Sequence, residues 1–155
     1  MKVLVATLLF CFGILSAQMP NISNVWLNNQ NAYIGNFGTN SNLKFFIENA
    51  EQNKNNDQEF LINGRISYLE NSNKVVGKME IKKYKDSGKH TKIFGNYLLE
   101  EDKNSNNKGY YKGNFVFSFD WDRTTKQISN KQIVFKGNWY PYAKQLKREK
   151  TNWSN

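Results

Sequence analysis

Asp120 and Asp122 stand two apart in "FDWDR", a spacing that points both carboxylates the same way from a β-strand. Such a pair could hold calcium or divide the roles of acid and base. No further oxygen ligands flank it, and acids at a strand end commonly serve solvation. Glu100-Glu101-Asp102 alternates across another strand end and reads as edge polarity. His90 is the only histidine, beside a loop, and one imidazole cannot anchor a metal cluster. No glycine-rich phosphate loop opens a helix. No catalytic residue, metal site or cofactor is therefore assigned. The side chains with most to offer a small molecule are aromatic: Tyr97, Tyr111 and Trp139, each near a glycine, Gly95, Gly113 or Gly137.

These residues belong to a recurring phrase. Gly35-Asn36-Phe37, Gly95-Asn96-Tyr97, Gly113-Asn114-Phe115 and Gly137-Asn138-Trp139 each place Gly-Asn before an aromatic. Gly-Asn can form a two-residue hairpin turn, but here the alternation runs through it. Tyr111, Gly113, Phe115, Phe117, Phe119 and Trp121 share one face of a period-two pattern, with the glycine in phase with the apolar side. The same holds for Phe60-Ile62-Gly64-Ile66, Val75-Gly77-Met79-Ile81, Ile93-Gly95-Tyr97-Leu99 and Ile133-Phe135-Gly137-Trp139. Strands are expected at 22–27, 32–37, 43–48, 58–69, 73–84, 90–101, 109–121 and 131–140, with polar loops between them. That is an all-β chain: an antiparallel up-and-down meander of about eight strands, closed or nearly closed into a barrel. The basic segment from about 143 to 155 reads as a tail.

In a meander, one register would set Gly64, Gly77, Gly95, Gly113 and Gly137 directly across from one another. It would also set Glu59 against Lys82, Glu80 against Lys92 and Glu100 against Lys108 on the outer face. A row of interior glycines weakens every strand it crosses and calls for a structural return. Two readings stay open. The sheet bends along that line, or the missing side chains leave a trough for a ligand or for a bulky side chain. In the second reading Tyr97, Tyr111 and Trp139 wall a site floored by Gly95, Gly113 and Gly137. On the outer face, Leu98, Tyr110 and Tyr140 would form one cluster and Val116 and Val134 another, for the N-terminal strand or a partner to cover.

Lys2, the apolar run from Val3 to Leu15 and the small residues Ser16-Ala17 have the form of a secretory signal, 1–17, cleaved before Gln18. Its "SAQ" ending resembles signal peptides of the Bacteroidota. Removing 17 of 155 residues leaves 138, a single domain 18–155 without cysteine and without a transmembrane segment. The expected location is periplasmic or extracellular. Net charge is +9, carried by 19 lysines and three arginines beside 24 asparagines. The favoured reading is an AT-rich genome; the alternative is an anionic partner such as a membrane surface or polysaccharide of the cell envelope. Nucleic acid is not expected, because arginines are few and do not cluster with aromatics.

The meander and its export resemble the calycin-type barrels: lipocalins, avidins and fatty-acid-binding proteins. Lipocalins carry Gly-x-Trp on their first strand; Gly35-Asn36-Phe37 echoes it with phenylalanine, and Gly137-Asn138-Trp139 has the letters at the other end of the chain. The resemblance implies a barrel enclosing one small apolar or amphipathic ligand. Three functions stand beside each other: a non-catalytic ligand-binding barrel, a structural or protein-interaction domain of the envelope, and an enzyme acting on glycan or lipid.

Overall fold

A computed structural model describes residues 22–103, 108–122, 124–125 and 127–155; the candidate signal lies outside them. A short helix α1 (Ser23–Trp26) and a 3-10 turn (Asn28–Gln30) lead into eight strands: β1 (Tyr33–Phe37), β2 (Asn40–Asn53), β3 (Asn56–Tyr68), β4 (Asn71–Ser87), β5 (His90–Glu101), β6 (Gly109–Asp122), β7 (Gln127–Pro141) and β8 (Glu149–Ser154). Each pairs antiparallel with the next, and β8 pairs with β1 through Ile34 and Ser154 to Phe37 and Thr151, so the hydrogen-bonded ring closes. Among the described residues no helix is long and apolar enough to cross a membrane.

The expected alternation is the observed one. Phe60, Ile62, Ile66, Val75, Met79, Ile81, Ile93, Leu99, Phe115, Phe117, Ile133 and Phe135 all lie buried inside the ring. Phe135 sits among Tyr33, Phe45, Tyr97, Phe115 and Trp153, with ring centroids 5.2–6.0 Å away. The waist of the barrel is therefore filled with aromatic side chains.

Some strands run longer than expected, β2 on through Asn53 with Ala50 buried and β7 from Gln127, and two segments depart in kind. Residues 22–27 form no strand. Ile22, Val25, Trp26 and Leu27 have helical rather than alternating spacing, and the turn they form drops Trp26 into one end of the barrel. There it meets Phe60, Phe115 and Phe117 edge-on, and its carbonyl accepts a hydrogen bond from the Tyr33 hydroxyl at 2.8 Å. The segment plugs the barrel and does not lie over its outer face. The supposed basic tail holds β8. Thr151 and Trp153 point inward, buried, between outward Lys150, Asn152 and Ser154. Two inward side chains among so many lysines give little local signal, and the strand is held by neighbours on both sides.

The register also differs. Gly113 does face Gly137, but Gly64 faces Val75, Gly77 faces Ile62 and Leu99, and Gly95 faces Ile81 and Phe115. The expected charge pairs go with it: Glu59 faces Glu80, Glu80 faces Asn96 and Glu100 faces Tyr110. Glu59 instead meets Lys78 at 2.7 Å, and Glu80 meets Lys82 on its own strand. Away from two bulges, between Ile81 and Lys83 and between Ser118 and Asp120, each slip is by an even number of residues and leaves the side chains on their expected faces. At the second bulge Asp120, expected outside, is buried, and Phe119 is only half-buried. Alternation fixes face; the turns fix register. The β4–β5 turn is Gly88-Lys89, with Gly88 at φ +77°, and the β3–β4 turn is Leu69-Glu70.

Candidate functional site

The end opposite α1 is open. Phe37, Tyr68, Asn71, Asn73, Glu101, Lys108, Tyr111 and Trp139 line a pocket of about 360 Å³ there. Strand ends supply nearly all of them, and parity explains the inward ones. On β5 the buried face runs Ile93, Gly95, Tyr97, Leu99 and then Glu101, one step past the last apolar residue. That step carries a carboxylate into the barrel, where it is 4% exposed.

The carboxylate is well supplied with donors. Glu101 Oε2 accepts from the Gly109 N–H at 2.7 Å and from Trp139 Nε1 at 3.1 Å, and Oε1 accepts from Asn73 Nδ2 at 2.7 Å. The Lys108 ammonium donates in turn to Asn73 Oδ1. Three donors and a nearby cation meet the requirement that a buried charge be hydrogen-bonded and compensated. Aromatic rings extend the lining from Trp139: Phe37 lies 4.8 Å from Tyr68 and 5.5 Å from Trp139 between ring centroids. Burial first, then the Glu101 charge, pushes the Tyr111 phenol well above its ordinary value, so it stays a neutral donor.

Of the six residues expected to form a site, Tyr111 and Trp139 face each other in this pocket. Tyr97, Gly95, Gly113 and Gly137 lie deeper. Tyr97 stands opposite Gly113, and its hydroxyl reaches the space a Cβ on Gly137 would take. Phe115 stands opposite Gly95 and covers it in the same way. The backbone crowds these glycines too: Cβ atoms on Gly95, Gly113 and Gly137 would overlap the carbonyl oxygens of Glu80, Lys136 and Lys112. The glycine row thus receives bulky side chains and close-set strands together. The Tyr97 hydroxyl, Thr151 Oγ1 and Trp153 Nε1 are buried there without a hydrogen-bond partner of normal geometry among the described residues.

The other candidates are occupied locally. Asp120 is buried, bonded to His90 Nδ1 and to Asn130 Nδ2 at 2.8 Å. Asp122 accepts from the Thr124 and Thr125 N–H groups at 2.8 and 3.0 Å, fixing a turn. The two carboxylates do not converge, and among the described residues no group of histidine, cysteine and acids could hold a metal. Tyr110 and Tyr140 do stack on the outer face, at 5.0 Å, and Val116 faces Val134, while Leu98 faces Lys112 instead of joining the tyrosines. Sequence reasoning missed Glu101. The signal was the unbroken alternation of β5, which continues indoors where composition suggests an edge.

Fold and pocket define a small antiparallel β-barrel, plugged at one end by α1 and pocketed at the other. No family model matches the chain, and comparison with curated proteins and with solved structures finds no match.

Proposed function

We propose that this chain is an exported, calycin-like ligand-binding barrel that takes a small amphipathic molecule at its open mouth. The observation that carries the reading is the mouth itself: four aromatic rings around a buried, hydrogen-bonded carboxylate and two asparagines. Apolar walls with a few placed polar groups are the common make-up of a small-molecule site, and about 360 Å³ falls at the small end of their range. Residues 1–17 supply export, which puts the mouth in contact with the periplasm or the medium. No step here needs a cofactor or a catalytic residue.

N-phenyl-1-naphthylamine, a neutral amphipathic fluorophore, tests the reading. Saturable one-to-one binding is expected, with at least tenfold loss in Phe37→Ala and in Trp139→Leu. Absence of saturation, or equal binding by all three proteins, sinks it. A second reading, a structural or protein-interaction domain of the envelope, draws on the filled waist and on exposed Leu61 and Val76 on the outer face. Native mass spectrometry of protein recovered from its own periplasm separates the two, by a bound small molecule or a bound polypeptide.

A further inference from the structure

The asparagines of the Gly-Asn phrase point away from the pocket, and the pairing of the strands gathers them. Asn96 faces Asn114, Asn114 faces Lys136, Lys136 faces Asn152 and Asn152 faces Asn36. That is one unbroken row over β5, β6, β7, β8 and β1. The next row, two residues along, pairs Lys112 with Asn138 and Asn138 with Lys150. All are exposed or half-exposed. Side chains in a row repeat about every 4.8 Å and the two rows lie about 7 Å apart, as the sheet dictates.

Three features mark this lattice out. Its amides are unspent: asparagines elsewhere, such as Asn53, Asn73 and Asn130, bond to neighbours, whereas the five in the lattice make no side-chain hydrogen bond among the described residues. Its charge is also unpaired: Lys78 and Lys82 meet acids, but no described acid pairs with Lys112, Lys136 or Lys150. Glu80, which continues the first row on β4, is taken by Lys82. The surface is concave as well: Asn36, Lys136, Asn138, Lys150 and Asn152 line an open groove of about 390 Å³ where the glycines let the strands close up.

We infer that this outer face binds an acidic polysaccharide, laid across β6, β7, β8 and β1. The lysines meet carboxylate or sulfate groups, and the amides, each both donor and acceptor, meet the hydroxyls between them. Single-stranded nucleic acid would call for stacking rings, which the lattice lacks, and duplex DNA, whose phosphates lysines also meet, offers the amides no hydroxyls. An anionic membrane would reward apolar side chains that insert between lipids, and the lattice presents none. This outer face lies apart from the mouth pocket, whose residues sit at the end of the barrel and on its inner face.

The test uses the exported chain with sodium polygalacturonate as probe, in affinity electrophoresis at several salt concentrations. Dextran, duplex DNA and phosphatidylglycerol vesicles are the comparisons. Binding to polygalacturonate that weakens with salt, and none to dextran, is expected. Replacing Lys112, Lys136 and Lys150 together by glutamine should weaken it about tenfold. Replacing Lys74, Lys85 and Lys92, exposed on β4 and β5, should change it less than about twofold. Asn114→Thr with Asn152→Thr, which suits a strand and removes two amides, should weaken binding severalfold with the salt dependence unchanged. Equal loss from the two lysine sets means general charge and overturns the inference. So does tighter binding to DNA or vesicles, or indifference to the asparagine pair. Should the lysine variant fail to fold, as read by circular dichroism, the asparagine pair decides alone.

Discussion

Gly113→Ala adds a single methyl at the one place where two glycines of the row meet directly. The new Cβ would lie 2.5 Å from the Gly137 Cα and 2.9 Å from the Lys136 carbonyl carbon. Carbon pairs settle near ~3.5 Å, so β6 and β7 must part by about 1 Å at their tightest point. The obstacles are backbone atoms and cannot rotate away, which places the cost toward the upper part of the about 1–3 kcal/mol typical of overpacking. Loss of unfolded-chain freedom on replacing glycine returns about 0.4–1 kcal/mol. The net loss is about 2 kcal/mol, or roughly 6–8 °C in Tm for a domain of this size. Urea unfolding measures it as a lower midpoint at unchanged slope. Gly88→Ala is the control: its Cβ would meet nothing within 4 Å, but φ is +77°, so only backbone strain of about 1 kcal/mol applies. If Gly113→Ala unfolds within ~0.5 kcal/mol of the parent, inside the scatter of ordinary surface changes, the close approach of β6 and β7 is not what the row secures. Unchanged stability with loss of probe binding would make the row the floor of a ligand site instead.

Leu69→Gly should stabilise the chain, because Leu69 holds φ +53° while 68% exposed. Relief of that backbone is worth about 0.5–1 kcal/mol, read as a Tm higher by roughly 2–4 °C. Asp120 carries a pH prediction. Its hydrogen bond from Asn130, and then the His90 contact, hold its carboxyl below the usual range. A depressed carboxyl stabilises the fold above its ordinary value of about 3.9, and that contribution drains away as pH falls through the lower folded value. Asp120→Asn should thus be less stable than the parent at pH 7, with the gap narrowing below about pH 4; a gap that widens in acid would reverse the assignment.

What could be read in advance followed the reach of each signal. Alternation is local, so the faces of Phe60, Met79, Tyr97, Phe115 and Phe135 were legible from the chain alone. Register depends on where a turn closes, and a two-residue loop at Leu69-Glu70 differs from a neighbouring choice by too little composition to notice. Two features were long-range. Trp26 is held by β3 and β6 across the whole barrel, and the inward residues of β8 gain meaning only when β1 and β7 stand on either side. Two of the eight pocket residues were visible, Tyr111 and Trp139. Glu101 was not, since an acid at a strand end ordinarily faces water and only the closed ring turns that end inward.

Closure by β8 also sets an order of events. Ile34 and Ser154 are 120 residues apart in sequence (154 less 34), and the seam they join is the most non-local pairing in the ring. Hairpins such as β4–β5 can form as soon as both strands exist, but the seam must wait for residues 149–154 and bears the largest loop-closure entropy. Until then β1 and β7 are bare edges, open to strand pairing with other chains. If the chain is exported as proposed, crossing a membrane unfolded from its N-terminus onward, its ring stays open until residues 149–154 have emerged. The hazard of mispairing then falls in the compartment that receives it, and a chaperone guarding this chain would be needed on that side.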